Sequence, residues 1–312
     1  MADEKWITGL QGDMPACEAA KKVLSIRLGV VRDRLPSAVF HAEDDIEHVH
    51  QLRVGTRRAA AALRIFAQCL PERLFDKTRK TLRALRRSAG EARDWDVFLE
   101  MLQTRQGKTD AKQRRGLDFL LGFAHGQRVL AQEHLQQAYD ANADKFTVRI
   151  EQVQQALDAG QASEPTMSAL AVPMLTRLLR ELDLAARGDL LQYEALHHVR
   201  ILGKQLRYAM EVFESCFAPE FRQQYYPMVA EMQEILGLAN DSYVASRRLN
   251  ALRLRLMRIQ PKQWPHYQAG IEALLRSHER RLPEQRRKFE IWWQDWLNSG
   301  AEQAFAALIR GK

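Results

Sequence analysis

The sequence predicts an all-α fold. Helix formers (Ala, Leu, Arg, Gln, Glu) dominate nearly every window, alternating β-branched runs between turn residues are almost absent, and prolines stand where helical patterns stop. Pro36, Pro71, Pro219, Pro261 and Pro283 are read as punctuation, because a residue without an N–H cannot continue a helical ladder. Asp44-x-x-Glu47 has the form of a capping pair opening a helix that Leu70-Pro71 closes after about seven turns. A second helix is expected to begin near Glu72 and break at Gly90, with Asp94 capping a third.

The small, polar stretch Asp158-Ala-Gly-Gln-Ala-Ser-Glu-Pro165 is the best candidate for a join between two halves. Across it the chain is self-similar. At an offset of 147 residues, Val-His50-Gln-Leu-Arg53-Val-x-x-Arg57 falls on Leu-His197-His-Val-Arg200-Ile-x-x-Lys204. The register then holds without a gap: Phe66 meets Phe213, Cys69 meets Cys216, Gly90 meets Gly237, Asp94 meets Asp241 and Val97 meets Val244. An ungapped series joining His, Gly and Asp points to duplication, each half being a bundle of about four antiparallel helices.

Composition narrows the function classes. The 312 residues contain no apolar run near the roughly 18 needed to cross a bilayer, so no membrane span is expected. The start, Met1-Ala2-Asp3-Glu4-Lys5, is acidic and lacks the basic and apolar regions of a secretory signal, which suggests a cytoplasmic protein. Cys17, Cys69 and Cys216 have neither disulfide-framework nor metal-ligand spacing, and reduced, mostly buried thiols are expected. The net charge is +8 and the pI about 9.5, which calls for an anionic partner without naming one. That charge is localised. Val49 to Arg93 carries twelve Lys or Arg against three acids, a local excess of +9.

At about 100° per residue, Val49, Leu52, Thr56, Ala59, Leu63, Phe66 and Leu70 form one seam, repeated by Leu196, Val199, Gly203, Leu206, Met210, Phe213 and Phe217. This is the predicted core face. On another side His50, Arg53, Arg57 and Arg64 fall within about 60° of one another, as do His197, Arg200, Lys204 and Arg207. The next helix adds Arg79, Lys80, Arg83, Arg86 and Arg87. Cations held side by side repel, a cost a polyvalent anion removes, and the arginine fork takes two phosphate oxygens at once. The plainer reading is a solvated basic surface whose arginine stems cover apolar area.

His50 and His197 have two readings, a structural hydrogen bond or a donor to phosphate oxygen. Metal ligation is disfavoured, because His48 and His50, like His197 and His198, project to different sides. No metal or cofactor is expected. Asp94 and Asp241 are read as N-caps rather than catalytic carboxylates, and Trp292, Trp293 and Trp296 as an apolar cluster that docks a helix.

His50-x-x-Arg53-Val-x-x-Arg57-Arg58, Arg93-Asp94-x-Asp96-Val97 and His197-x-x-Arg200-Ile-x-x-Lys204-x-x-Arg207-Tyr208 together resemble the CHAD family, named for its histidine-bearing α-helical domain. The resemblance implies one unit spanning residues 1–312, with repeats of about 14–160 and 166–312 forming two pseudo-symmetric four-helix bundles. It also implies a basic cleft that binds inorganic polyphosphate, often at polyphosphate granules. Carried over, the binding set is His50, Arg53, Arg57, Arg58, Arg64, His197, Arg200, Lys204 and Arg207, with Arg83, Arg86 and Arg87 following. The second copy departs from the first. Glu211 stands in the place of Arg64, and Ala230, Gln233 and Glu234 in those of Arg83, Arg86 and Arg87, so a lopsided surface led by the first repeat is expected. No Glu-x-Glu-x-Lys is present, so the triphosphatase activity of some fused relatives is not carried over.

Two other functions compete with a non-catalytic polyphosphate-binding module. A nucleic-acid binder shares the electrostatics but ordinarily adds aromatic platforms, and the cationic faces show only Tyr208 at their edge. A phosphoryl-transfer enzyme using His50 or His197 lacks a Gly-rich phosphate loop and a carboxylate cluster for magnesium.

Overall fold

A computed structural model describes residues 5–107, 110–159 and 165–311. Within them the chain is helical and has no strand, as expected. The helices are α1 (Ala16–Phe40), α2 (Glu47–Ile65), α3 (Glu72–Gln106), α4 (Ala111–Asp158), α5 (Met167–Ala186), α6 (Tyr193–Phe213), α7 (Tyr226–Ile259), α8 (Trp264–Asn298) and α9 (Ala301–Ile309). Short 3-10 turns, Ala67–Cys69 and Glu214–Cys216, follow α2 and α6 and coincide residue for residue at the 147-residue offset.

The apolar seam lies where its period places it. Val49, Leu52, Thr56, Ala59, Leu63 and Phe66 are fully buried and Leu70 nearly so, as are their counterparts except Phe217, which is half-buried. In the first half α1 packs on α2, α2 on α3, α3 on α4, and α4 returns to α1. In the second α5 packs on α6, α6 on α7 and α7 on α8, while α9 bridges α8 and α5. Gly300, at φ +70°, makes the left-handed turn that folds α9 back. Phe305 then meets Tyr225 at 4.6 Å and Trp296 at 6.1 Å, so the tryptophan cluster docks a helix.

The halves meet along α4 and α8 and, more lightly, α2 and α6. At the first crossing a Cβ on Gly116 would stand 2.9 Å from Gly270 Cα, so the two backbones touch only because both residues lack side chains. The second crossing sets the two basic helices side by side.

Several local expectations are corrected. α3 is continuous through Gly90, and Asp94 lies in its middle, free to use its carboxylate on another helix. Asp241 is likewise inside α7. α2 begins at Glu47 with Asp45, not Asp44, accepting from the Glu47 amide at 2.8 Å. Pro36 and Pro283 sit inside α1 and α8, where packing overrides the lost hydrogen bond. Cys17 and Cys69 are not reduced thiols but form a disulfide that ties the first turn of α1 to the turn after α2. Their Cα atoms are 5.3 Å apart, within bridging reach, although 52 residues separate them in sequence. Cys216 is free. The join between halves falls partly outside the described residues.

Candidate anion-binding site

Arg53 and Arg57 of α2 and Arg200, Lys204 and Arg207 of α6 converge where the two helices pass, and all five are half-buried. Their mutual proximity shows in their acid–base balance. Burial, then the nearby Arg57, Arg200, Arg53 and Arg207, push the Lys204 ammonium down to about 6. Burial and Arg53 bring Arg57 down to about 10, against the opposing influence of Tyr208. Arg200 is lowered mainly by burial, with Asp241 and Tyr193 resisting and Arg53 assisting. Burial also works against Arg207, but Tyr208, Tyr226 and Glu211 outweigh it and the net shift is upward. Among the described residues, no carboxylate forms an ion pair with Arg57, Arg200, Lys204 or Arg207.

On α2, two members of the expected set are matched by the protein's own acids. Arg53 donates to the Gly90 carbonyl at 2.9 Å and pairs with Asp94, a half-exposed carboxylate that orients the guanidinium without enclosing it. Arg58 is committed more fully. Its Nε lies 2.8 Å from Oε2 of Glu211, whose side chain is 1% exposed, and Tyr226 donates to the other oxygen at 2.7 Å. Arg58 is therefore a strut joining α2 to α6 and α7. Glu211, the apparent defect in the second copy, is the acid that satisfies it.

The remaining predicted residues spread outward. Arg64 lies exposed near Arg86, and its pKa is lowered by burial of part of the side chain and then by Arg86. Lys80, Arg83 and Arg87 are exposed on α3, and Arg79 turns to Asp76 at 3.2 Å. His50 and His197 are half-buried, and desolvation holds both imidazoles below their ordinary range. For His50, Arg93, Arg53 and Arg57 add to the depression against Glu47; for His197, Arg200 and Lys204 add to it against Asn240 and Glu194.

Beside the seam an open cavity of about 560 Å³ is lined by Arg200, Lys204, Arg207, Ala230, Gln233 and Glu234, among others. Gln233 is 6% exposed, and neither polar atom of its amide finds a partner. A Cβ on Gly203 would overlap that amide, so the glycine makes room for it.

Sequence reasoning missed Arg93 as a site residue, although it lies seven residues after Arg86 and thus on the same face of α3. One of its buried terminal nitrogens has no partner, and it stands close enough to depress His50. It also missed Tyr193 and Tyr243. Their rings stack beside His197, so aromatic groups do border the cationic surface. Tyr193 was in reach, one turn before His197, but Tyr243 joins it only through the packing of α6 on α7.

This arrangement of helices and paired basic motifs matches the CHAD domain over residues 23–250. The chain belongs to the CHAD domain family. A crystal structure of the CHAD domain from the plant Ricinus communis superposes with a TM-score of 0.72 at 25% identity, covering 91% of this chain and 95% of that one. PptA from Streptomyces chartreusis shares the fold at a TM-score of 0.63 and 17% identity, covering 90% of this chain and 99% of its own. No curated protein matches the chain. Among the described residues of this CHAD protein, no helix is long and apolar enough to cross a membrane. Among the same described residues, no three His, Cys, Asp or Glu side chains gather in a group that could hold a metal ion.

The depressed Lys204 would make any anion binding at this site pH-dependent. Above about pH 6 the empty site holds this amine largely neutral, and a phosphate beside it restores the charge, so binding takes up a proton. Affinity for long polyphosphate should therefore fall as pH rises from about 6 to 8, approaching tenfold per unit, and a Lys204→Met variant should lose most of that slope. Titration calorimetry at three pH values checks it; a flat wild-type profile contradicts it.

Proposed function

We propose that this CHAD protein is a non-catalytic module that binds inorganic polyphosphate along the seam between α2 and α6. Its two halves act as pseudo-symmetric four-helix bundles within one domain. The observation that carries this reading is the gathering of Arg53, Arg57, Arg200, Lys204 and Arg207 with one exposed carboxylate, Asp94, engaged among them. A fold optimised for its own stability would not hold such groups half-desolvated and mutually repelling. An extended anion with a charge on every repeat unit removes both penalties. The exposed Lys80, Arg83 and Arg87 extend the positive surface along α3, so a chain longer than the seam can continue onto it. Capture of such chains in the cytoplasm would place the protein at polyphosphate granules.

If five cations each displace a condensed counterion, the logarithm of the affinity should fall against the logarithm of salt with a slope of about −3.5. Titration of defined-length polyphosphate between 50 and 200 mM salt, on the order of the range where such effects are resolved, gives that slope. A slope near zero removes the proposal.

A further inference from the structure

The cationic seam ends differently in the two halves. Where the first half carries Ile46, Arg93 and Asp96, the 147-residue offset brings Tyr193, Asn240 and Tyr243. The Tyr193 and Tyr243 rings lie 3.3 Å apart and within 9° of parallel, and the His197 imidazole joins them at 5.6 Å and 30°. Tyr193 donates its hydroxyl to Asn240 Oδ1 at 3.0 Å, which fixes the orientation of the stack. All three rings are half-buried and so keep part of their surface in solvent.

Two exposed acids, Glu194 and Asp241, flank this aromatic end. They would repel phosphate there and accept hydrogen bonds from hydroxyl or amino groups. Along α6 from the stack the chemistry reverses by steps: Arg200 still feels Asp241 and Tyr193, whereas Lys204 beyond it feels Arg57, Arg200, Arg53 and Arg207. Arg200 follows His197 by about 5 Å along α6 and Lys204 by about 10 Å, at the ordinary rise of a helix. Open space lies one turn before Asn240 on α7, where a Cβ on Gly237 would meet nothing within 4 Å.

A ligand suited to every part of this surface has a flat neutral ring at one end, hydrogen-bond donors next to it, and a chain of phosphates at the other. We propose that the second half also binds nucleoside polyphosphates, with the base stacked on the outward side of the Tyr193–Tyr243 pair and the phosphates on Arg200 and Lys204. This rests on the phosphate-binding reading of the seam and adds a specificity to one end of it. An aromatic platform accepts any base, because every base offers a π-face, so discrimination among bases is expected to be weak.

The test compares adenosine triphosphate with tripolyphosphate at equal salt on the full chain, without magnesium. Stacking on one platform should make the nucleotide about tenfold tighter. Tyr243→Ala should bring it down to the level of tripolyphosphate and leave tripolyphosphate unaffected, while Tyr243→Phe should keep the preference. Equal or weaker binding of the nucleotide by the wild type overturns the inference and leaves the polyphosphate reading intact. Failure of both ligands to bind overturns both. Should Tyr243→Ala not fold, tyrosine ring resonances of the wild type decide. An upfield shift caused by the nucleotide and not by tripolyphosphate supports the stack, and no shift rejects it.

Discussion

Replacing Arg57 and Lys204 together by methionine is expected to weaken polyphosphate binding at least about 100-fold while raising the melting temperature by a few degrees. The two effects have one origin. Each charged contact to a phosphate is worth roughly 1.5–3 kcal/mol, so two lost contacts reach that factor. In the empty protein the same groups are half-desolvated among like charges, as the lowered ammonium of Lys204 and guanidinium of Arg57 record. Methionine fills similar space, covers the same apolar neighbours and carries no charge, so about 1 kcal/mol or more of stability should return. Differential scanning calorimetry and a polyphosphate titration on the same preparation decide it. A variant that binds poorly because it melts early would mark these residues as structural.

Glu211→Ala should do the reverse, lowering stability by about 3–5 kcal/mol, because it strands Arg58 against a buried pocket and leaves the Tyr226 hydroxyl without its acceptor. Chemical denaturation would show the midpoint move sharply. Arg58→Met combined with Glu211→Leu should recover most of the loss, since a matched apolar pair avoids a lone buried charge. The double variant should retain polyphosphate binding, because Arg58 serves the fold and not the ligand. A loss of binding in a stable double variant would return Arg58 to the binding set.

What could be read in the sequence and what could not follow a physical division. The apolar seam from Val49 to Leu70 was legible because helical periodicity is local, and each of its members is buried. The cationic stripe on the same helix was legible for the same reason. Long-range pairing was not. Arg58 resembled its neighbour Arg57 until the fold set Glu211, 153 residues away, against it. Asp94 had the spacing of a cap, yet glycine did not break a helix packed against both α2 and α4, and the carboxylate went to Arg53 instead. The Cys17–Cys69 bridge and the Tyr193–Tyr243 stack join residues whose sequence separation carries no period, so only the packing of helices exposes them.

The lopsided site expected from Glu211, Ala230, Gln233 and Glu234 takes another form. The seam draws cations from both halves, three of the five from α6, and it is the exposed basic surface of α3 that lacks a counterpart on α7.

Competition between polyphosphate and single-stranded RNA of equal charge, followed on the wild-type protein at one salt concentration, tests the central claim most directly. Short polyphosphate should displace the RNA at a concentration at least about tenfold below that at which RNA displaces polyphosphate, because half-buried cations gathered from two helices suit closely spaced phosphates. RNA that stays bound in the presence of excess polyphosphate would contradict the account.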